Sequence, residues 1–286
     1  MFKLFKSYWF RLKRFPFFWV AIGLVALVAI ASVSIVTTVS YYAYTYAQSI
    51  GEVYNASLSL TYLSYQFLIP SSLVPILVLL IIAIFFLRDV QHGVYRNQLL
   101  SGFSRTQVYL GTILFSYFIF LTIFAAFLIP FYVVGACMPR NLLPVSILDG
   151  KTSSLSYLVI LITDLTLPVI LDSIIMMTQN RGASIGIFFG IYFLVSMFGL
   201  ITTFSSMYGH YQLAEFFTNY QISKASSIVP NFDTAIKIEL VDGVYQSSSV
   251  TGRTIPLILK TVFTKVFYMA AFGVVGGVVY NRRSLR

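Results

Sequence analysis

Two carboxylates stand where carboxylates are costly. Asp164 and Asp172 lie inside one long apolar run, and Lys265 lies inside another. A charged side chain in hydrocarbon costs several kcal/mol by insertion scales and marks an ion path, a substrate path or a buried pair. At ~1.5 Å per helical residue, Asp164 lies ~22 Å above Gln179 and Lys265 lies ~22 Å above Tyr280. Matched depth predicts a buried Asp164–Lys265 bridge. Asp164 could instead line a polar pathway, or reach the outer interface if its span sits differently. Asp172 falls ~10 Å from the inner end by the same rise, within reach of Arg88 or Arg181. Pro168 lies between the two acids and should kink the span. Thr163 and Thr166 are the hydroxyls near enough to satisfy backbone groups freed by the kink.

Other chemistry is sparse. A single cysteine, Cys137, leaves no disulfide within the chain and no multi-cysteine metal site. His92 and His210 are far apart and share no ligand spacing. No HExxH, nucleophile motif or G-x-x-x-x-G-K-[ST] phosphate loop occurs. No catalytic residue and no metal site is expected. A membrane enzyme is therefore the weakest of the function classes.

The elements that hold these charges must sit in lipid. Of 286 residues, 58% are hydrophobic and 10% charged, and the mean hydropathy is +0.85. Soluble domains carry roughly 25% charged residues. Apolar runs near Phe17–Val39, Phe67–Leu87, Val108–Ala136, Leu155–Thr178, Ala183–Phe204 and Pro256–Tyr280 are each long enough to cross ~30 Å as a helix. The runs are continuous rather than alternating, which disfavours a membrane barrel. The first run exceeds a secretory signal's apolar core and reads as an uncleaved span. The expectation is an all-α integral membrane protein of six transmembrane helices, a single permease-like domain over residues 1–286.

The net charge of +10 does not call for nucleic acid, because most basic residues flank the apolar runs. With the N-terminus inside, the inner segments hold 12 of the 19 Lys and Arg residues, and only Asp89 opposes them. Both termini are expected in the cytoplasm. Residues 1–15 form a basic amphipathic helix, with Phe2, Leu4, Phe5, Tyr8, Trp9, Leu12 and Phe15 on one side and Lys3, Lys6, Arg11, Lys13 and Arg14 on the other. Such a helix lies in the membrane interface, as an anchor or as an elbow that meets a cytosolic partner. Tyr41, Tyr42, Tyr44 and Tyr46 suit the outer aromatic belt. Ser205–Ile255 is a long outer segment between spans five and six, expected to fold into short helices or a small lid.

Between spans two and three, residues 88–107 have a readable grammar. Asp89 can cap a short helix, Gly102 suits its end, and Ser104 with Gln107 has capping-box spacing flanked by Phe103 and Val108 as a staple. This predicts a stiff cytoplasmic hairpin. Phe85, Phe86, Asp89, Gly93, Arg96-Asn97 and Gly102-Phe103-Ser104-Arg105 resemble the segment between spans two and three of permease subunits of type-2 ABC exporters, the bacterial peptide, bacteriocin-immunity and drug exporters. The amphipathic start, six spans and long outer segment are similar too. Asp89 stands where many relatives have Glu.

The resemblance implies that Asp89, Gly93, Arg96, Gly102, Ser104 and Arg105 form the coupling segment on which a separate ATP-binding subunit presses. It implies ATP and Mg on that partner and none in this chain. It also implies a second permease, identical or homologous, a bacterial cytoplasmic membrane, and export of a hydrophobic or amphipathic peptide, lipid or drug. The plainer reading of Arg96 and Arg105 is positive-inside anchoring. Gly182, Gly186 and Gly190, with Gly273 and Gly277, form small-residue faces for packing within the subunit or for a dimer interface. The rival class is a gradient-driven secondary transporter using Asp164 and Asp172, against which stands the lack of a clear internal repeat. A non-transporting scaffold or sensor subunit is a further class.

Overall fold

A computed structural model describes residues 2–50, 64, 67–68, 73–138, 157–158, 160–162, 164–180, 182–190, 193, 235–241, 244–250 and 254–282. In chain order the elements are α1 (Phe2–Lys13), α2 (Pro16–Ser49), α3 (Leu73–Gln91), α4 (Val94–Leu100), α5 (Arg105–Cys137), α6 (Thr166–Thr178), β1 (Ala235–Val241), β2 (Val244–Val250) and α7 (Thr254–Arg282). Five helices are long and apolar enough to cross a membrane: Pro16–Tyr46, Leu73–Gln91, Arg105–Cys137, Ile160–Thr178 and Val262–Arg282. The chain is a helical, multi-pass membrane protein. The sixth expected span, Ala183–Phe204, lies mostly outside the described residues, although 182–190 are helical.

Helix α6 is the hub, packed against α3, α5 and α7, while α2 lies along α5. The first span overruns its expected end at Val39. The hydroxyls of Ser34, Thr37, Thr38 and Thr45 donate back to carbonyls four residues earlier in α2, so polar side chains do not end the helix. Tyr41, Tyr42 and Tyr46 are exposed on this extension, as an aromatic belt requires. In the outer segment, short helices or a small lid were expected. There β1 and β2 form an antiparallel hairpin with Ala235 opposite Val250 and Val241 opposite Val244. The remainder of 205–255, apart from the first turn of α7, lies outside the described residues.

Pro168 sits in the first turn of α6, where a missing N–H does no harm. The span is interrupted just before it by one turn residue, Leu165, whose backbone stays helical at φ −62° and ψ −15°. Thr163 lies outside the described residues. The Thr166 hydroxyl is buried with no hydrogen bond, so it does not repair this break as the sequence suggested.

The close helix contact in this bundle is α7 on α5 and α6, and its tightest point is Gly276. A methyl group there would stand 2.5 Å from the Tyr109 hydroxyl and 2.7 Å from Ser173 Cβ. A methyl group at Gly277 would stand 3.2 Å from the Tyr109 ring, and one at Gly273 would meet Val169 at an ordinary 3.8 Å. Gly273 serves through its carbonyl, which accepts a 2.9 Å hydrogen bond from Tyr109. Gly186 and Gly190 meet nothing within 4 Å, and Gly182 meets only Asn180. The Gly182 face thus makes no close packing among the described residues. Gly276→Ala should destabilise the purified protein by about 1–3 kcal/mol, with Gly186→Ala within about 0.5 kcal/mol of the parent. Thermal unfolding in detergent measures both, and equal effects would remove the close approach at Gly276.

Candidate functional site

The hairpin between α3 and α5 forms as its local sequence demands, with one change. Helix α3 runs on through Asp89 to Gln91, so Asp89 is not a cap. Gly93 takes the N-cap place of α4 with φ 64°, a left-handed conformation that favours glycine. At the other end Gly102 has φ 88°. Its N–H bonds Leu99 O at 3.0 Å and the Phe103 N–H bonds Gln98 O at 3.3 Å, the paired bonds of a Schellman ending. Ser104 then caps α5: its Oγ accepts from Gln107 N at 3.2 Å, and Gln107 Oε1 accepts from Ser104 N at 3.1 Å. Both halves of the capping box are made.

Polar contacts fasten this hairpin to elements distant in sequence. The Arg11 guanidinium on α1 forms an ion pair with Asp89. It lies over the rings of Tyr8 and Phe85, at 4.8 Å and 5.7 Å. The Tyr8 hydroxyl donates to Gln98 Oε1 of α4 at 3.3 Å and lies 3.3 Å from Thr112 Oγ1 of α5. Arg105 donates to the Asn281 carbonyl at the end of α7 at 3.0 Å, and Asn281 donates to Thr106 at 3.3 Å. Burial pushes the Tyr8 hydroxyl up to about 12 and the Tyr95 hydroxyl well above its usual value. Both therefore remain neutral, Tyr8 as a donor to Gln98 and Tyr95 with no hydrogen bond among the described residues.

Helix α1 is not merely laid on lipid. Leu4, Tyr8 and Leu12 are buried, and Leu4 presses on Gly111 of α5, where a Cβ would come within 2.5 Å of its Cδ2. Apolar burial alone gives little preference for protein over lipid. The Arg11 and Tyr8 contacts are what fix α1 against the hairpin. Phe2, Phe10, Lys3, Lys6, Lys13 and Arg14 stay exposed, which keeps the amphipathic character read from the sequence. Gly111 was not singled out by any sequence signal.

Helix α4 therefore has two faces. Tyr95 and Gln98 are buried. Arg96, Asn97 and Leu100 are exposed, Leu100 at 78%. Ser104→Ala should cost about 1 kcal/mol, and Gly102→Val, which forces a branched residue to φ 88°, about 1–2 kcal/mol. Both should speed amide hydrogen exchange across residues 93–104 while leaving the spans unchanged. Unaltered exchange would mean that these caps do not stiffen the hairpin.

The intramembrane charges are all enclosed. Asp164, Asp172 and Lys265 are buried. Asp164 and Lys265 interact electrostatically. Neither oxygen of Asp164 or Asp172 has a hydrogen bond among the described residues. Ser116 is the hydroxyl nearest in effect to Asp172, and Tyr95, Tyr109 and Tyr117 feel its charge. Arg88 instead faces Asp89, and Arg181 lies outside the described residues. Tyr95 senses both Asp89 and Asp172.

Cys137 is exposed, and His210 lies outside the described residues. Among the described residues no group of three His, Cys, Asp or Glu side chains could hold a metal ion. No protein-family model, no curated protein and no solved structure matches the chain.

Proposed function

We propose that this chain is the membrane-spanning subunit of an ATP-driven exporter of the type-2 ABC class. The observation that carries the reading is the exposed Arg96–Asn97–Leu100 face of α4 on a doubly capped hairpin that α1 grips from behind. A face held this stiffly passes a push on to the bundle instead of absorbing it. The Arg11–Asp89 pair and the Tyr8–Gln98 bond lead to α1, and the Arg105–Asn281 bond leads to α7.

In this reading a separate ATP-binding subunit, which carries ATP and Mg, docks on α4. A second permease subunit, identical or homologous, completes the pathway. Nucleotide-driven closure of the ATPase moves the hairpin, and the bundle switches from inward-facing to outward-facing. The cargo is a hydrophobic or amphipathic peptide, lipid or drug. Both termini and the hairpin lie on the cytoplasmic side of a bacterial cytoplasmic membrane, in accord with the basic residues that crowd this end.

Affinity purification of the tagged chain from its native membrane tests the proposal. A stoichiometric ATP-binding partner is expected. Arg96→Glu with Leu100→Asp should release it, because these exposed changes leave Tyr95 and Gln98 in place. A chain that purifies as a stable oligomer without an ATPase overturns the reading. The enclosed carboxylates of Asp164 and Asp172 would then favour gradient-driven transport.

A further inference from the structure

Between α1, the last turn of α3 and the start of α4 lies a cavity of about 290 Å³. Its walls include Arg11, Arg14, Arg88, Asp89 and His92, with Phe10, Phe15 and Phe85 among its apolar residues. Three guanidinium groups share this lining with one carboxylate, an excess of two positive charges before His92 is counted. Arg11 gives Nη1 to Asp89, while its Nη2 is buried with no hydrogen bond. Arg14 is held over the Phe10 ring at 4.2 Å. Arg14, Arg88 and His92 are exposed, so the cavity has a basic mouth. Guanidinium groups offer paired donors that match the oxygens of phosphate.

Its level in the molecule narrows the ligand. The cavity lies where one candidate span begins at Pro16 and another ends at Gln91. That is the depth of lipid headgroups. Trp19 is exposed just beyond it, its indole N–H bonded to Lys13 O at 3.0 Å, as suits a residue at the interface. The exposed Phe10 ring at the edge offers an apolar surface to an acyl chain.

We propose that this cavity binds a phosphate group, presented by the headgroup of an acidic phospholipid in the adjoining leaflet. The site stands whether or not the chain is an exporter. It places a lipid beside the Arg11–Asp89 pair, where occupancy would brace α1 on the hairpin.

The chain's two tryptophans, Trp9 and Trp19, are at this end of the molecule and give a direct readout. Full-length protein in a neutral detergent at physiological ionic strength would be titrated with dihexanoyl phosphatidylglycerol, dihexanoyl phosphatidylcholine and inorganic phosphate. Saturable quenching by the phosphatidylglycerol and not by the phosphatidylcholine is expected. Inorganic phosphate binding as tightly as the phosphatidylglycerol would assign the site to soluble phosphate rather than to lipid. Arg14→Gln with Arg88→Gln should weaken binding about thirtyfold, roughly a factor of five for each charge near the surface and more when both are lost. Both side chains are exposed, so folding should survive, which the melting curve checks. Lys3→Gln with Lys6→Gln removes two charges from the same helix outside the cavity and should change binding less than about twofold. Equal losses in the two double variants, equal binding of the phosphatidylcholine, or no saturable response to either anion would overturn the proposal.

Discussion

Arg11→Met should lower the unfolding free energy of the purified protein by about 3 kcal/mol, and Asp89→Ala by about 1–2 kcal/mol. The asymmetry follows from exposure. The Asp89 side chain is 7% exposed and that of Arg11 is 24% exposed. Removing Arg11 strands a carboxylate in the bundle, whereas removing Asp89 leaves a long cation that can turn towards water. The double variant Arg11→Met/Asp89→Leu should return to within about 1 kcal/mol of the parent, because an ion pair replaced by apolar groups of similar size costs little. The coupling energy in the cycle should be on the order of 2 kcal/mol. Single variants that each shift stability by under about 0.5 kcal/mol would show that the pair is only a surface contact. The double variant also separates anchor from latch. It keeps α1 in the bundle through Leu4, Tyr8 and Leu12 but cuts the charged link to the hairpin. ATP-dependent transport that persists in it would reduce α1 to an anchor.

What the sequence disclosed about this region was its local part. Ser104 and Gln107 are three residues apart, and their capping box needs nothing from the rest of the chain. Gly102 is similar: a positive φ at a helix end is written in the residue itself. The contacts that lock the hairpin are of another kind. Arg11 and Asp89 are 78 positions apart, and Tyr8 and Gln98 are 90 apart. No periodicity points from one to the other, because each residue has an ordinary local reason to be where it is. Arg11 reads as an interfacial cation, and Asp89 reads as a helix cap ahead of a glycine. Asp89 lost that role because Gly93 supplied the start of α4 at no side-chain cost. Gly276 and Gly111 were missed for a similar reason. A glycine's use depends on what approaches it, here Tyr109 with Ser173 and Leu4 respectively. The regularly spaced Gly186 and Gly190, which fit the packing motif better, meet nothing in the described residues. Depth along a span was more legible than contact, since helical rise is fixed. Asp164 and Lys265 accordingly lie within electrostatic reach of one another.

That neighbourhood leads to the second large effect. Lys265→Met should destabilise the protein by about 3–5 kcal/mol, the usual cost of removing one member of a buried charged couple. Lys265 is 1% exposed and Asp164 is fully enclosed. The Asp164 oxygens have no hydrogen bond among the described residues, so the field of Lys265 is the described interaction that opposes their burial. Asp164→Asn should cost less than Lys265→Met, because an amide carries no charge to be stranded. Asp164→Asn/Lys265→Met should recover to within about 1–2 kcal/mol of the parent, since no net buried charge remains. Thermal unfolding in a single detergent, with all four proteins compared, reads the cycle. Additive single effects would dissolve the coupling and leave Asp164 as an isolated acid. The same double variant then bears on how the chain is powered. In an ATP-driven exporter the couple is part of the scaffold, and a folded double variant should still move cargo when nucleotide is supplied. In a gradient-driven carrier the Asp164 carboxylate is the group that takes the coupled ion, and no folded variant lacking it should transport.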